Sequence, residues 1–180
     1  FDGLDNLERI EVAADNEYYT SDSRGVLYSK DMTVLYACPA AYEGDVEIPE
    51  TVKTIGRRAF SGCTLIREIV LPDSVTTIEE QAFADCKVLK KLVLSDNLTN
   101  VGKEAFLRCG KITSAGPKGG KKNKFSMEYP WNTKIPENAF SGLKSLKQVV
   151  LPETVTEIGK NAFKACKNLE AINWNPQIKC

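Results

Sequence analysis

The 180-residue chain contains no histidine. That removes the Ser-His-Asp and Cys-His routes of nucleophilic catalysis, along with the commonest metal ligand. None of its six cysteines falls in a C-x-x-C pair, so no zinc site is expected. Neither G-x-x-x-x-G-K-[ST] nor G-x-G-x-x-G occurs, which leaves nucleotide binding without support. An excess of charge is missing as well. Lys plus Arg and Asp plus Glu both number 24, so no overall field draws the chain to nucleic acid or an anionic membrane. No apolar run reaches the roughly 18 residues that would span a bilayer. The amino end lacks the basic and apolar regions of a signal peptide. The expectation is a chain with no enzyme activity, no metal and no cofactor.

What the chain has instead is repetition. The stretch from Ile48 to Leu71, IPETVKTIGRRAFSGCTLIREIVL, returns 23 residues later. Ile55, Ala59, Phe60, Cys63, Ile69 and Leu71 become Ile78, Ala82, Phe83, Cys86, Leu92 and Leu94. Val101, Ala105, Phe106 and Cys109 follow at the same interval. The register slips by 11 and then resumes with Ile135, Ala139 and Phe140, and with Ile158, Ala162, Phe163 and Cys166. Apolar residues at fixed phases of a period in the twenties predict a solenoid of short rungs. A single rung cannot bury its own apolar face, and stacking covers it.

Within a rung, LIREIVLP predicts a strand with Ile66, Ile69 and Leu71 inward and Glu68 and Val70 outward. Pro49, Pro72 and Pro152 stop the strands. VTTI turns the corner with Val75 and Ile78 inward, and EEQAFADC supplies a short helical turn that packing must stabilise. The fold class is α/β: 23-residue rungs with a parallel sheet on one face, helical turns on the other and an inserted β-hairpin. Phe60, Phe83, Phe106, Phe140 and Phe163 should form a continuous spine.

The chain reads as one domain over residues 1–180, with insertions at about 13–45 and 116–134. The first carries GVLYSKDMTVLY, a hairpin pattern around Ser-Lys-Asp. In the second, Phe125, Met127 and Tyr129 alternate with polar residues like an edge strand. The opening Phe1 to Val12 matches the second half of a rung. Both ends cut through a repeat, so the chain is expected to be an excerpt of a longer array.

Cys63, Cys86, Cys109 and Cys166 share one phase, which Leu4 and Leu143 fill elsewhere. A position that accepts Leu is a buried apolar site, which a free thiol also suits. Rung spacing of about 4.8 Å would also admit disulfides, but three consecutive cysteines pair poorly. Cys38 and Cys180 fall outside the column.

These motifs together resemble the BspA-like leucine-rich repeats of bacterial surface proteins, whose pattern runs roughly LxxIxLPxSVxxIGxxAFxxC. IPETVKTIGRRAFSGCTLIREIVLPDSVTTI and LPETVTEIGKNAFKACKNLEAI carry the resemblance over nearly the whole chain. It weakens from Gly116-Pro117 through Asn132. YYTSDSRGVLYSKDMTVLYACP is also similar to a family element. The resemblance implies a parallel-sheet solenoid, exported and attached to a bacterial cell surface, which adheres to a protein or glycan of host or neighbouring cells. It implies no catalytic residue.

The outward strand phase is the expected binding surface: Glu47, Glu68, Val70, Lys91, Val93, Gln148 and Val150, with Tyr129 and Trp131 of the second insertion at its edge. Solenoid curvature makes such a face an extended surface, and large aromatics are common anchors. Valine there also simply suits a strand, and a polar, featureless face would instead mark a structural spacer. Glu11 and Glu47 align at rung spacing, near a retaining glycosidase's carboxyl separation, but a solvent-facing phase offers no pocket to raise either pKa. Lys118, Lys121, Lys122 and Lys124 keep the second insertion solvated or face a partner such as a glycan or acidic protein. Nucleic acid and membrane insertion are not expected.

Overall fold

The computed structural model describes residues 4–95, 97–117, 126–128, 134–151, 155–172, 174 and 176–179. Lys118, Lys121, Lys122, Lys124, Phe125, Tyr129, Trp131 and Cys180 lie outside them, and Gln148 and Val150 are placed by backbone alone. Three strands come first: β1 (Tyr19–Ser21), β2 (Leu27–Ser29) and β3 (Val34–Ala37). Corner strands and face strands then alternate as β4 (Thr54–Ile55), β5 (Glu68–Val70), β6 (Thr77–Ile78), β7 (Lys91–Leu94), β8 (Asn100–Val101) and β9 (Ser114–Pro117). After them come β10 (Ser126–Glu128), β11 (Lys134–Ile135), β12 (Gln148–Val150), β13 (Glu157–Ile158) and β14 (Ala171–Ile172).

The face strands form a parallel sheet in the order β14-β12-β10-β9-β7-β5. Glu68 pairs with Lys91 and Lys91 with Ser114, each partner 23 residues on. Alternation follows from the pleat: Ile69 is buried, whereas Val70 is exposed. The corner segments make a second sheet in the order β1-β2-β3-β4-β6-β8, with β11-β13 as a separate pair. The sequence suggested a bend at VTTI. The structure shows a ladder, Ile55 beside Ile78 beside Val101. A Cβ at Gly102 or Gly159 would lie 2.4 or 2.6 Å from the backbone nitrogen of Glu80 or Glu137 in the rung below. Glycine after the corner Ile or Val thus lets successive rungs close up.

The expected helical turns are arcs of hydrogen-bonded turns, and no helix occurs among the described residues. Left-handed residues break each arc, with φ near 59° at Arg58, 57° at Gln81 and 61° at Asp85. Amides in an arc alternate between two acceptors. The Ala59 and Ser61 amides donate within their own arc, to Gly56 and Arg58 (3.1 and 2.9 Å). Those of Arg58, Phe60 and Gly62 donate across to Glu80, Ala82 and Ala84 (3.1, 2.7 and 2.9 Å). The arcs are therefore a third inter-rung ladder.

Inside it the five phenylalanines stack, with centroids 5.1, 5.6, 5.7 and 5.5 Å apart from Phe60 to Phe163. Beside them the thiols of Cys86, Cys109 and Cys166 donate to the carbonyls of Phe60, Phe83 and Phe140 (3.1, 2.8 and 3.2 Å). Leucine at that phase fills the space but cannot donate. All five described cysteines are free, and Cys38 is buried against Cys63, extending the column by one thiol; Cys166 is half-buried.

The second insertion adds a rung edge to the sheet. Its strand β10 lies between β9 and β12, Met127 pairing with Ala115 and Val149, so the expected edge strand is internal. The reason is that the rungs on both sides present open ladder groups. Meanwhile the arcs join directly across the insertion: the Phe106 and Arg108 amides donate to Ala139 and Ser141 (3.2 and 2.9 Å). At the amino end, β2 and β3 form the expected hairpin. β1 adds a third antiparallel strand, and β3 pairs in parallel with β4. Residues 4–12 form no strand, contrary to the half rung read there. The Ile10 amide donates instead to the Gly25 carbonyl (3.0 Å), engaging the hairpin.

Phe83→Ala removes a ring stacked on both sides and is expected to cost about 3–5 kcal/mol in urea unfolding. Contact with Cys63 and Cys109 respectively, then burial, pushes the Cys38 and Cys86 thiols well above 9.0. The unfolded chain therefore loses these protons first, and stability falls as pH rises past about 9. The urea midpoint should drop between about pH 8 and 9.5, with a smaller drop in Cys38→Ala/Cys86→Ala. Alkylation of native protein should reach Cys166 before the buried Cys38, Cys63, Cys86 and Cys109, and denaturation without reductant should release every buried thiol.

Candidate functional site

The strand face is built by register. One outward row runs Glu68, Lys91, Ser114, and the next runs Val70, Val93, Gly116. Beyond the insertion, Ser126 is in register with Gln148 and Gln148 with Ala171, while Glu128 is in register with Val150. By repeat phase alone, Gln148 and Val150 would stand one rung after Ser114 and Gly116. The inserted strand puts Ser126 and Glu128 between them, a residue pair that periodicity does not reveal because the insertion breaks the period.

Val70 is 38% exposed, and Val93 beside it is half-buried. Glu68 and Lys91 form an ion pair across the rungs. Comparable cross-rung pairs join Lys147 to Glu170 (3.1 Å) and Lys134 to Glu157 (2.5 Å). A 23-residue shift that exchanges acid for base thus neutralises the strand edges locally. Glu47 is exposed, next to the bridge by which Val46 pairs with Ile69. Glu11 is not on this face: its carboxylate pairs with Arg9 at 2.9 Å, in the segment that forms no strand. The two glutamates therefore do not share a sheet row. Tyr129 and Trp131 lie outside the described residues.

A second exposed surface was missed in the sequence. Tyr18, Tyr19 and Tyr36 are 72%, 43% and 42% exposed, and the rings of Tyr19 and Tyr36 meet edge-to-face at 5.5 Å. The three-stranded unit creates this patch. β3 alternates, with Leu35 buried and Tyr36 outward, and that alternation was the available signal. Two clefts of about 890 and 580 Å³ share Ile10 and Tyr36 in their walls. Tyr28, by contrast, is buried with its hydroxyl 3.3 Å from Asp22, and burial followed by the Asp22 charge pushes its pKa up. Arg24 ties the unit to the rungs, stacking over Tyr42 at 4.2 Å and donating to the Asp45 carbonyl (3.1 Å).

Among the described residues no group of three or more Cys, Asp or Glu could hold a metal ion, and no helix is long and apolar enough to cross a membrane. The Glu68–Lys91 side chains are 41% and 44% exposed, so solvent screening keeps their coupling small. A double-mutant cycle at these two positions should return no more than about 1 kcal/mol of stability.

This fold has known counterparts. A leucine-rich repeat protein from Eubacterium ventriosum superposes with a TM-score of 0.81 at 28% identity, covering 94% of this chain and 43% of that one. A leucine-rich cell surface protein from Faecalibacterium prausnitzii gives 0.76 at 28% identity, covering 89% and 40%. The pneumococcal vaccine antigen PcpA gives 0.74 at 19% identity, covering 96% and 41%, a likeness of fold alone. The chain spans about two fifths of the length of each. Among proteins of curated function, none matches. The family model for BspA-type leucine-rich repeat regions matches six copies over residues 36–120 and 121–180. This chain belongs to the BspA-type leucine-rich repeat family.

Proposed function

We propose that residues 1–180 act as one repeat domain of 23-residue rungs, a non-catalytic binding module of a bacterial cell-surface protein. It engages a protein or glycan on a host or neighbouring cell through the outward strand face. The observation that carries this reading is the exposed Val70 in register with Val93. It is an apolar strip flanked by charges that already satisfy each other. Burying such a strip against a partner gains about 25 cal/mol for each Å² of apolar surface, without the cost of desolvating an unpaired charge. Tyr129 and Trp131 extend the surface in this proposal. A spacer has no use for exposed large apolar groups, and the tyrosine patch at Tyr18, Tyr19 and Tyr36 also favours a binder.

Attachment of the purified domain to intact epithelial cells, read by flow cytometry, tests this. Val70→Glu/Val93→Glu and Trp131→Ala are each expected to weaken it by roughly tenfold or more, the equivalent of about 1.4 kcal/mol. Circular dichroism checks that both variants are folded. Full attachment by both folded variants would move the site elsewhere and favour the spacer.

A further inference from the structure

The outer edge of the turn arcs carries cross-rung ion pairs, as the strand face does, and it also carries lysines outside those pairs. Four successive arcs enclose an open cleft of about 830 Å³. Each contributes one lysine to its walls: Lys87, Lys111, Lys144 and Lys164. All four are exposed, and none forms an ion pair with a carboxylate among the described residues. The acids in the same cleft are already engaged. Asp85 accepts from the Arg108 guanidinium in bidentate fashion, Nε to Oδ1 at 2.6 Å. That hydrogen bond holds the Asp85 carboxyl below its usual range, so it stays charged and committed. Glu104 accepts from Gln81 and, at 3.2 Å, from Asn138. The charged side chains lining the cleft are five cations (Lys87, Arg108, Lys111, Lys144 and Lys164) and two anions (Asp85 and Glu104), a local positive excess in a chain whose net charge is zero.

We propose that this edge is a binding site for a linear acidic polysaccharide, its carboxylates or sulfates running along the solenoid axis over the four lysines. Rungs stack at about 4.8 Å, so four successive arcs carry these lysines over roughly 14 Å of the solenoid axis, at differing points along each arc. A pyranose unit advances a glycan by about one rung spacing, so a stretch of about four sugars covers the four rungs and brings its anionic groups within reach of the long lysine side chains. Asn168, exposed at the cleft wall, supplies an amide for a sugar hydroxyl. Single-stranded nucleic acid fits less well, because none of the described lining residues is aromatic and a base would find nothing to stack on. The site uses the arcs and is independent of the strand face, so either can fail without the other.

The test is retention of the whole domain on immobilised heparin in a salt gradient. Since net charge is zero, retention must come from a local patch. Wild type should bind at low salt and elute with added salt. Lys87→Gln/Lys111→Gln/Lys144→Gln/Lys164→Gln should pass unretained. A control with as many exposed lysines replaced elsewhere, Lys30→Gln/Lys53→Gln/Lys90→Gln/Lys179→Gln, should elute with wild type. For residual binding, the log–log salt dependence of the cleft variant should be shallower by roughly 3. Hyaluronan should compete with heparin, and neutral dextran should not. Three results overturn the proposal: an unretained wild type, equal loss in both variants, or retention of the cleft variant at wild-type salt. Displacement by duplex DNA as efficient, charge for charge, as by hyaluronan overturns the polysaccharide assignment.

Discussion

Everything in this molecule depends on one constraint: about half of a rung's backbone groups find their partners only on a neighbouring rung. A buried amide without an acceptor costs about as much as a lost hydrogen bond. Half the amides of each arc point along the solenoid axis, Phe60 to Ala82 and Phe83 to Ala105 (2.7 and 2.8 Å). The face strands and corner strands do the same on the other two sides. Three ladders therefore surround one core, and the side chains inside must repeat at the ladder spacing. Phenylalanine meets that demand by stacking, with interplanar angles of 5–17°. Cysteine meets it by donating to the phenylalanine carbonyl one rung away, which explains a small polar-tipped residue at a buried phase.

The same constraint governs how irregular segments are tolerated. Each rung contacts only its neighbours, so an insertion disturbs the stack locally. The second insertion supplies β10 to the face sheet, while the corner sheet divides between β8 and β11 and the arcs join unbroken. The amino-terminal unit ends the corner sheet differently, with antiparallel strands β1 and β2 beyond β3. That arrangement projects three tyrosines into solvent.

Charge follows the repeat as well, and cross-rung pairs occur on both the strand face and the arcs. On the strand edge, residues one rung apart exchange sign, and Glu68–Lys91 and Lys147–Glu170 neutralise each other. On the arc edge, the acids bind Arg108, Gln81 and Asn138, and the lysines keep their charge for solvent or a ligand. One stack of rungs thus carries an apolar strip on its strand face and a cluster of lysines on its arcs.

The sequence by itself determined the inward phases, the parallel face strands, the phenylalanine spine and the family. All follow from residues recurring at a fixed interval, and Ile69, Phe83 and Val75 are buried as their phases require. It also named Val70 as outward, since a strand's alternation is local. Only the tertiary structure decided the rest. The arcs are not helical, because left-handed residues such as Gln81 and Asp85 let alternate amides reach the next rung. The β10 strand is internal because both flanking rungs offered partners, a fact held by residues far along the chain. Glu11 left the expected row because Ile10 found the Gly25 carbonyl. The tyrosine patch and the lysine cluster needed segments brought together across rungs. Periodicity records what one rung asks of its neighbour; it does not record which charges remain unpaired once the neighbours arrive.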